Sequence, residues 1–275
     1  MIRGLYAAAS GMLLGLRQQD VIAENMANAS TVGFKAEQSS QAAFGNVLAR
    51  SIGVQAGPVP GTSERVIGGF GTGAFIDKTR TVLTQGSERG TGASLDVMVR
   101  GDGFFAIQTP DGIRYTRDGH LDRDAQNQLV NADGSAVLDV NGNPITLESS
   151  HVRVKSDGSI YSLTPVDTTQ PDGSATHEER EDLVAQLQIV NIDAQDLVRA
   201  GDTQFMLAPN AVATPMNFAD GKTAVVQGAL EEANVAMGEV ATQMYSLART
   251  FESSQRVFST ISETLQTAVR DVGKV

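Results

Sequence analysis

Apolar residues recur with a helical period at both ends of the chain. Ile2, Leu5, Ala9, Met12, Leu16, Gln19, Ala23 and Met26 follow one another at alternating steps of three and four, which keeps a single stripe on one side of a helix. Only Gln19 breaks it. Ala7, Ala8, Ser10 and Gly11 lie on or beside the stripe, so a partner helix could approach closely. The β-branched Thr31 and Val32 weaken propagation and Gly33 readily takes the positive φ that follows a helix, so the helix is expected to end near residues 29–32. The far end repeats the pattern through Met237, Val240, Met244, Leu247, Phe251, Ser254, Phe258, Ile261, Leu265, Ala268 and Val272. There Ser254 alone is polar. Two such stripes fit a helical hairpin packed on its own domain, or seams that other copies of the chain complete.

Between the helices the period changes. Residues 36–75 hold no sustained repeat and are dense in Gly57-Pro58, Pro60-Gly61, Gly68-Gly69 and Gly71-Thr72-Gly73, which reads as an extended, partly flexible connector. From about Phe75 the pattern is that of strands. Leu95, Val97 and Val99 alternate with Asp96, Met98 and Arg100, then Gly101-Asp102-Gly103 turns into Phe104-Phe105-Ala106-Ile107. Gly103, Gly112, Gly119, Asn127, Gly134 and Gly142 recur at the spacing of short antiparallel strands in a sandwich or barrel. Asp157-Gly158 predicts a hairpin turn, and polar residues 165–182 predict a surface loop. The expected fold class is α+β, with paired coiled-coil-like terminal helices and an inserted all-β antiparallel domain. Its expected divisions are 1–35 with 228–275, a connector 36–75, and a β domain 76–227.

Composition narrows the chemistry. The 275 residues include 28 glycines, no tryptophan and no cysteine, so disulfides, thiolate nucleophiles and cysteine metal sites are excluded. The net charge of −11 falls in the middle, where residues 101–227 hold 19 acidic and 8 basic side chains. Without a basic stripe the chain is a poor nucleic-acid binder. The longest apolar run, residues 4–16, is too short to cross a bilayer. Arg3 before that run and Ala27-Asn28-Ala29 after it have the form of a secretory signal. Against cleavage, Arg17 to Glu24 separate the two with charge while the helical stripe runs on.

No catalytic constellation stands out. Asp139-Val140-Asn141-Gly142-Asn143 begins like a calcium loop, but Pro144 replaces the required glycine and Ser150 the bidentate glutamate, so a plain turn is expected. Asp118, Asp122 and Asp124 are read as a solvated strand face rather than a cation site. His120, His151 and His177 share no ligand spacing, and neither a G-x-S-x-G elbow nor a complete dinucleotide loop is present. No catalytic, cofactor or metal residue is assigned.

Three stretches carry a family resemblance. Asn25, Ala27, Asn28, Thr31, Gly33, Phe34 and Lys35 resemble the signature that closes the N-terminal helix of flagellar rod and hook proteins. GASLDVMVRGDGFFAIQTPDGIRYTRDGHL, residues 92–121, is similar to that family's central β motif, and Val226-Gln227-Gly228-Ala229-Leu230-Glu231 with Asn234-Val235 resembles the opening of its C-terminal helix. Three departures, Ala236 after Asn234-Val235, Asn127 and His120-Leu121, leave the family unaltered. The length is similar to proximal or distal rod proteins rather than to the longer hook subunit.

The resemblance implies a structural subunit, not an enzyme and without cofactors. It implies export through the flagellar type III apparatus without cleavage, then assembly beyond the inner membrane into a helical tube with itself and with other rod and hook proteins. Neither nucleic-acid binding nor membrane insertion is expected. The assembly residues would be Leu5, Met12, Leu16, Asn25, Met26, Asn28, Gly33, Phe34, Met244, Leu247, Phe251, Phe258, Ile261 and Leu265. Gly33-Phe34-Lys35 would redirect the chain outward, with Phe34 either an anchor at the corner or packed on its own helix. The alternative is a secreted β-sandwich enzyme or adhesin with a helical oligomerisation stalk.

Overall fold

Helix α1 (Ile2–Ala27) and helix α2 (Met237–Val272) bracket a mostly antiparallel β-rich middle, so the fold is α+β. The computed structural model describes residues 2–43, 47–54, 62–70, 73–149, 151–169, 175–218, 221 and 223–273. Its backbone forms two compact units. Residues 1–24, 37–80 and 237–275 make the helical unit; residues 25–36 and 81–236 make the β unit.

Within the helical unit, the expected stripe of α2 is the face that is covered. Val240 is buried and Met244, Leu247, Phe251, Ser254, Phe258, Ile261, Leu265 and Ala268 are half-buried, while the residues between them are exposed. On α1 the covered face is centred one residue earlier than the large-residue stripe, along Gly4, Ala8, Gly11, Gly15, Gln18 and Ile22. A Cβ added at Gly4 would lie 3.1 Å from Ile261 Cδ1, one at Gly11 3.7 Å from Ser254 Oγ, and one at Gly15 3.7 Å from the Phe251 ring. Small residues therefore face α2, because they let the two backbones approach. Leu5, Ala9 and Met12 sit half-buried at the margin. Tyr6, Leu13 and Leu16 are left 68%, 65% and 45% exposed.

The stretch read as a connector contains strands. Glu37–Ala43 pairs with Ala74–Thr81, and Val47–Val54 pairs antiparallel with Thr62–Phe70. The paired glycines 68 and 69 lie inside the last of these, opposite Ala49 and Leu48. Gly57-Pro58, Pro60-Gly61 and Gly71-Thr72 lie outside the described residues.

The β unit is built on a nine-stranded sheet whose central strand, Phe104–Thr109, pairs with Gly112–Thr116 on one side and with Ala136–Val137 and Ile189–Asn191 on the other. Alternate residues of that strand point to opposite faces. Phe105 and Ile107 enter one apolar cluster with Val97, Val99, Leu129 and Ile160; Phe104 and Ala106 enter another with Tyr115, Leu138, Val190 and Phe205. Burial on both faces is why the run reads as continuously apolar. The expected polar loop at 165–182 is instead most of a long hairpin, in which Ser159–Thr169 pairs with Ala175–Gln186. Its polarity belongs to paired strands rather than to missing structure. Glu181 bridges Arg153 and, at 3.1 Å, Lys155, and charge on such a strand also discourages edge-to-edge pairing.

Candidate functional site

After α1 the chain turns through residues 28–33 and enters a buried corner of the β unit. Gly33 has φ 68°, and a Cβ there would meet the backbone of Arg117 and Asp118 at 2.4 to 2.7 Å. Only glycine tolerates both the conformation and the space. The Gly33 N–H donates to the Glu231 carbonyl at 2.8 Å. Phe34 follows with no exposed surface, under the Arg199 guanidinium, which lies 4.8 Å from its ring centroid and 5.3 Å from that of Phe205. Arg199 also donates to the Lys35 carbonyl. Phe34 is thus seated against the Arg199 side chain of the β unit.

Lys35 and Arg117 converge on one carboxylate. Lys35, Arg117 and Glu231 are 1%, 3% and 1% exposed. Lys35 Nζ donates to Glu231 Oε1 at 2.5 Å and to the Thr84 carbonyl at 2.9 Å. Arg117 Nη1 lies 3.2 Å from Glu231 Oε2 and also donates to the Val99 carbonyl, while Nη2 donates to the Gly101 carbonyl. The Gly86 N–H also donates to Glu231 Oε1. A Cβ at Gly86 would lie 1.9 Å from the Glu232 carbonyl oxygen, which shows how tightly these segments approach. Burial pushes the Lys35 ammonium below its ordinary pKa even though Glu231 pulls it up, and the same opposition lowers Arg117. Burial therefore works against attraction at both cations.

Asn234 completes the corner. Its Oδ1 accepts from the Ala36 N–H at 2.7 Å, and its Nδ2 donates to the Val82 carbonyl at 2.8 Å and the Thr84 carbonyl at 2.9 Å. The Asn234 N–H faces the Phe34 carbonyl, and the Val82 N–H donates to the Ala36 carbonyl.

Of the residues expected at an assembly surface, Gly33 and Phe34 belong to this corner. Asn25 is buried at the end of α1, and Asn28 accepts from the Thr31 hydroxyl at 3.1 Å. Leu5, Met12, Leu16 and Met26 lie along α1, and Met244, Leu247, Phe251, Phe258, Ile261 and Leu265 along α2. The corner's polar members, Lys35, Arg117, Glu231 and Asn234, were not singled out from sequence. Their signal was present: each stands in one of the three motif stretches, which the fold brings to one place.

The acidic turns act as caps. Asp124 Oδ1 accepts from the Gln126 and Gln128 N–H groups, and Asp139 Oδ1 from those of Asn141 and Asn143. The Asp139 loop is accordingly an ordinary turn. Asp118, read as solvated, is in fact buried, because its carboxylate accepts from the His120 N–H beneath the elbow. Burial raises its pKa, so its ionisation weakens the fold as pH rises from the ordinary carboxylate range through the raised value. Asp118→Asn keeps the acceptor without the charge. A triple change of Asp118, Asp122 and Asp124 to Asn is therefore expected to alter stability by less than about 1 kcal/mol and to remove the loss with rising pH that Asp118 contributes. Thermal melts at pH 4 and pH 8 check this.

Three family models match the chain: "Flagella basal body rod protein" over residues 5–35, "Flagellar hook protein FlgE/F/G D1 domain" over 98–162, and "Flagellar basal body rod FlgEFG protein C-terminal" over 226–271. Among similar proteins, flagellar basal-body rod protein FlgG of Bacillus subtilis is 31% identical over 98% of both chains. Flagellar basal-body rod protein FlgF of Salmonella typhimurium is 30% identical over 96% of this chain and 95% of its own. The flagellar hook-basal body complex protein FlhO of Bacillus subtilis is 27% identical over the full length of both.

Proposed function

This chain belongs to the flagellar basal-body rod protein family, and from that premise we propose that it polymerises helically through its terminal helices to form part of the flagellar drive shaft. It is a structural component of the flagellum and not an enzyme. No helix among the described residues is long and apolar enough to cross a membrane.

The observation that carries the assembly reading is the division of α1 into two apolar faces. Its glycine and alanine face lies toward α2. Tyr6, Leu13 and Leu16 remain exposed, with Leu5 and Met12 at the margin. An exposed stripe of this kind marks an interaction surface, and in a head-to-tail contact that does not close it generates a filament. In this reading, neighbouring copies cover Leu5, Met12, Leu16 and Met26 on α1. The α2 stripe from Met244 to Leu265 completes a coiled-coil-like seam, and Gly33 and Phe34 turn the chain from α1 into the β unit.

The subunit reaches its site beyond the inner membrane through the type III export apparatus, keeps its N-terminus, and joins other rod and hook proteins. The acidic charge of residues 101–227 keeps unassembled subunits soluble. Two helices packed on each other along a single face gain modest stability, so amides of residues 2–24 and 237–272 are expected to exchange faster in the monomer than those of the β unit and to become protected in filaments. The deciding experiment is complementation of a strain lacking this gene, with electron cryomicroscopy of its basal bodies. A strain that swims normally without the protein and assembles a complete rod overturns the reading.

A further inference from the structure

We propose that Asn234 is the positioning residue of a clamp that holds three chain passages of the β unit at fixed spacing, so that load entering through them is shared instead of peeling one segment at a time. The mechanical role rests on the rod reading; the clamp itself rests on geometry.

The chain passes between the two units near residues 24, 36, 80 and 236. Asn234 lies two residues from the last of these and binds next to two others: Ala36 through Oδ1, and Val82 and Thr84 through Nδ2. The Ala36 carbonyl and the Val82 N–H close the third side at 2.8 Å. One primary amide therefore satisfies groups on two other segments while its own backbone fixes a third. Only a side chain with an acceptor and two donors on one carbon can do this, which in so short a reach means asparagine. Behind it, Lys35 and Glu231 join the same passages through a buried pair 196 residues apart in sequence. Separating residue 36 from residue 236 must break the Asn234 contact with Ala36 and loads those with Val82 and Thr84 through the Val82 bond to Ala36, whereas a force across the sheet elsewhere does not involve them.

The absence of cysteine makes introduced thiols unique handles. Single full-length chains would be held at constant force between Gln38→Cys and Gly238→Cys, and separately between Ile113→Cys and Val140→Cys within the β unit. Asn234→Ala is expected to shorten the lifetime on the first axis roughly tenfold, the loss of two or three modest hydrogen bonds, and to change the second less than about twofold. Asn234→Asp keeps the acceptor for Ala36 but loses both donors, and is expected to behave like Asn234→Ala. Circular dichroism confirms that each variant is folded, and hydrogen exchange at Ala36 and Val82 relative to Val225 gives the same comparison without force. Equal shortening on both axes would show an ordinary stability residue and overturn the clamp, as would no change on the first. Because the measurement uses isolated monomers, the clamp can fail while the rod reading stands. A failed complementation would remove the rod reading and leave the clamp.

Discussion

Glu231→Ala is expected to destabilise the β unit by about 3 to 5 kcal/mol, the cost of breaking a buried ion pair from one side. The change strands the Lys35 ammonium and the Arg117 guanidinium in a pocket where neither is more than 3% exposed, and it removes the acceptor for the Gly86 N–H. The two cations then keep carbonyl oxygens as their hydrogen-bond partners. Glu231→Gln keeps one acceptor, for the Gly86 N–H, but turns an NH2 donor toward Arg117 and leaves the Lys35 charge unmatched, so it should still cost about 2 kcal/mol. Adding Lys35→Met removes the orphaned charge and should recover most of that loss. Urea denaturation of the three variants, followed by circular dichroism, checks the order: Ala worst, Gln intermediate, the double change nearest to the parent. If the Gln single change and the double change are equally stable, Lys35 is not held by Glu231.

The same cluster shows what the sequence could and could not convey. The stripe on α2 was legible because only one of its faces is apolar, and every half-buried residue from Met244 to Ala268 follows it. On α1 two adjacent faces are apolar or small. Counting hydrophobicity favours Leu5, Met12 and Leu16 over Gly4, Gly11 and Gly15, yet the covered face is centred on the glycines, since close helix approach depends on small volume rather than on large apolar area. Local pattern likewise failed over residues 165–169 and 175–182, where polar residues form an antiparallel strand pair instead of a loop. Asp118 was misread for a related reason: alternation predicts a face, but the elbow at Gly33 covers that face from a segment 85 positions earlier in sequence. Lys35 and Glu231 could be quoted as parts of motifs, but their pairing across 196 residues has no local signal. Long-range contacts of this kind become visible only when the fold is known.

Leu247→Asp is expected to abolish filament assembly and swimming while leaving the β unit folded. Leu247 lies on the covered stripe of α2, 3.9 Å from where a Cβ on Gly15 would stand, beside Phe251. A carboxylate there loses an apolar contact worth about 1.5 to 3 kcal/mol and, once neighbours close over the seam, adds several kcal/mol of desolvation. Those costs recur at every copy of a polymer, so even a modest weakening of one contact suppresses a long filament. Gln255→Asp, exposed on α2 and away from the stripe, adds the same charge and should swim. The β unit includes neither position, so the circular dichroism of its strands should match the parent in both variants. Gly15→Leu attacks the seam from α1 by volume instead of charge: its side chain would enter the space now filled by Phe251 and Leu247, and overpacking typically costs about 1 to 3 kcal/mol. If Leu247→Asp and Gly15→Leu both build rods, the contact between α1 and α2 plays no part in assembly and the exposed face of α1 must act without it. If Gln255→Asp also fails, charge anywhere on α2 is intolerable and the stripe has no special role.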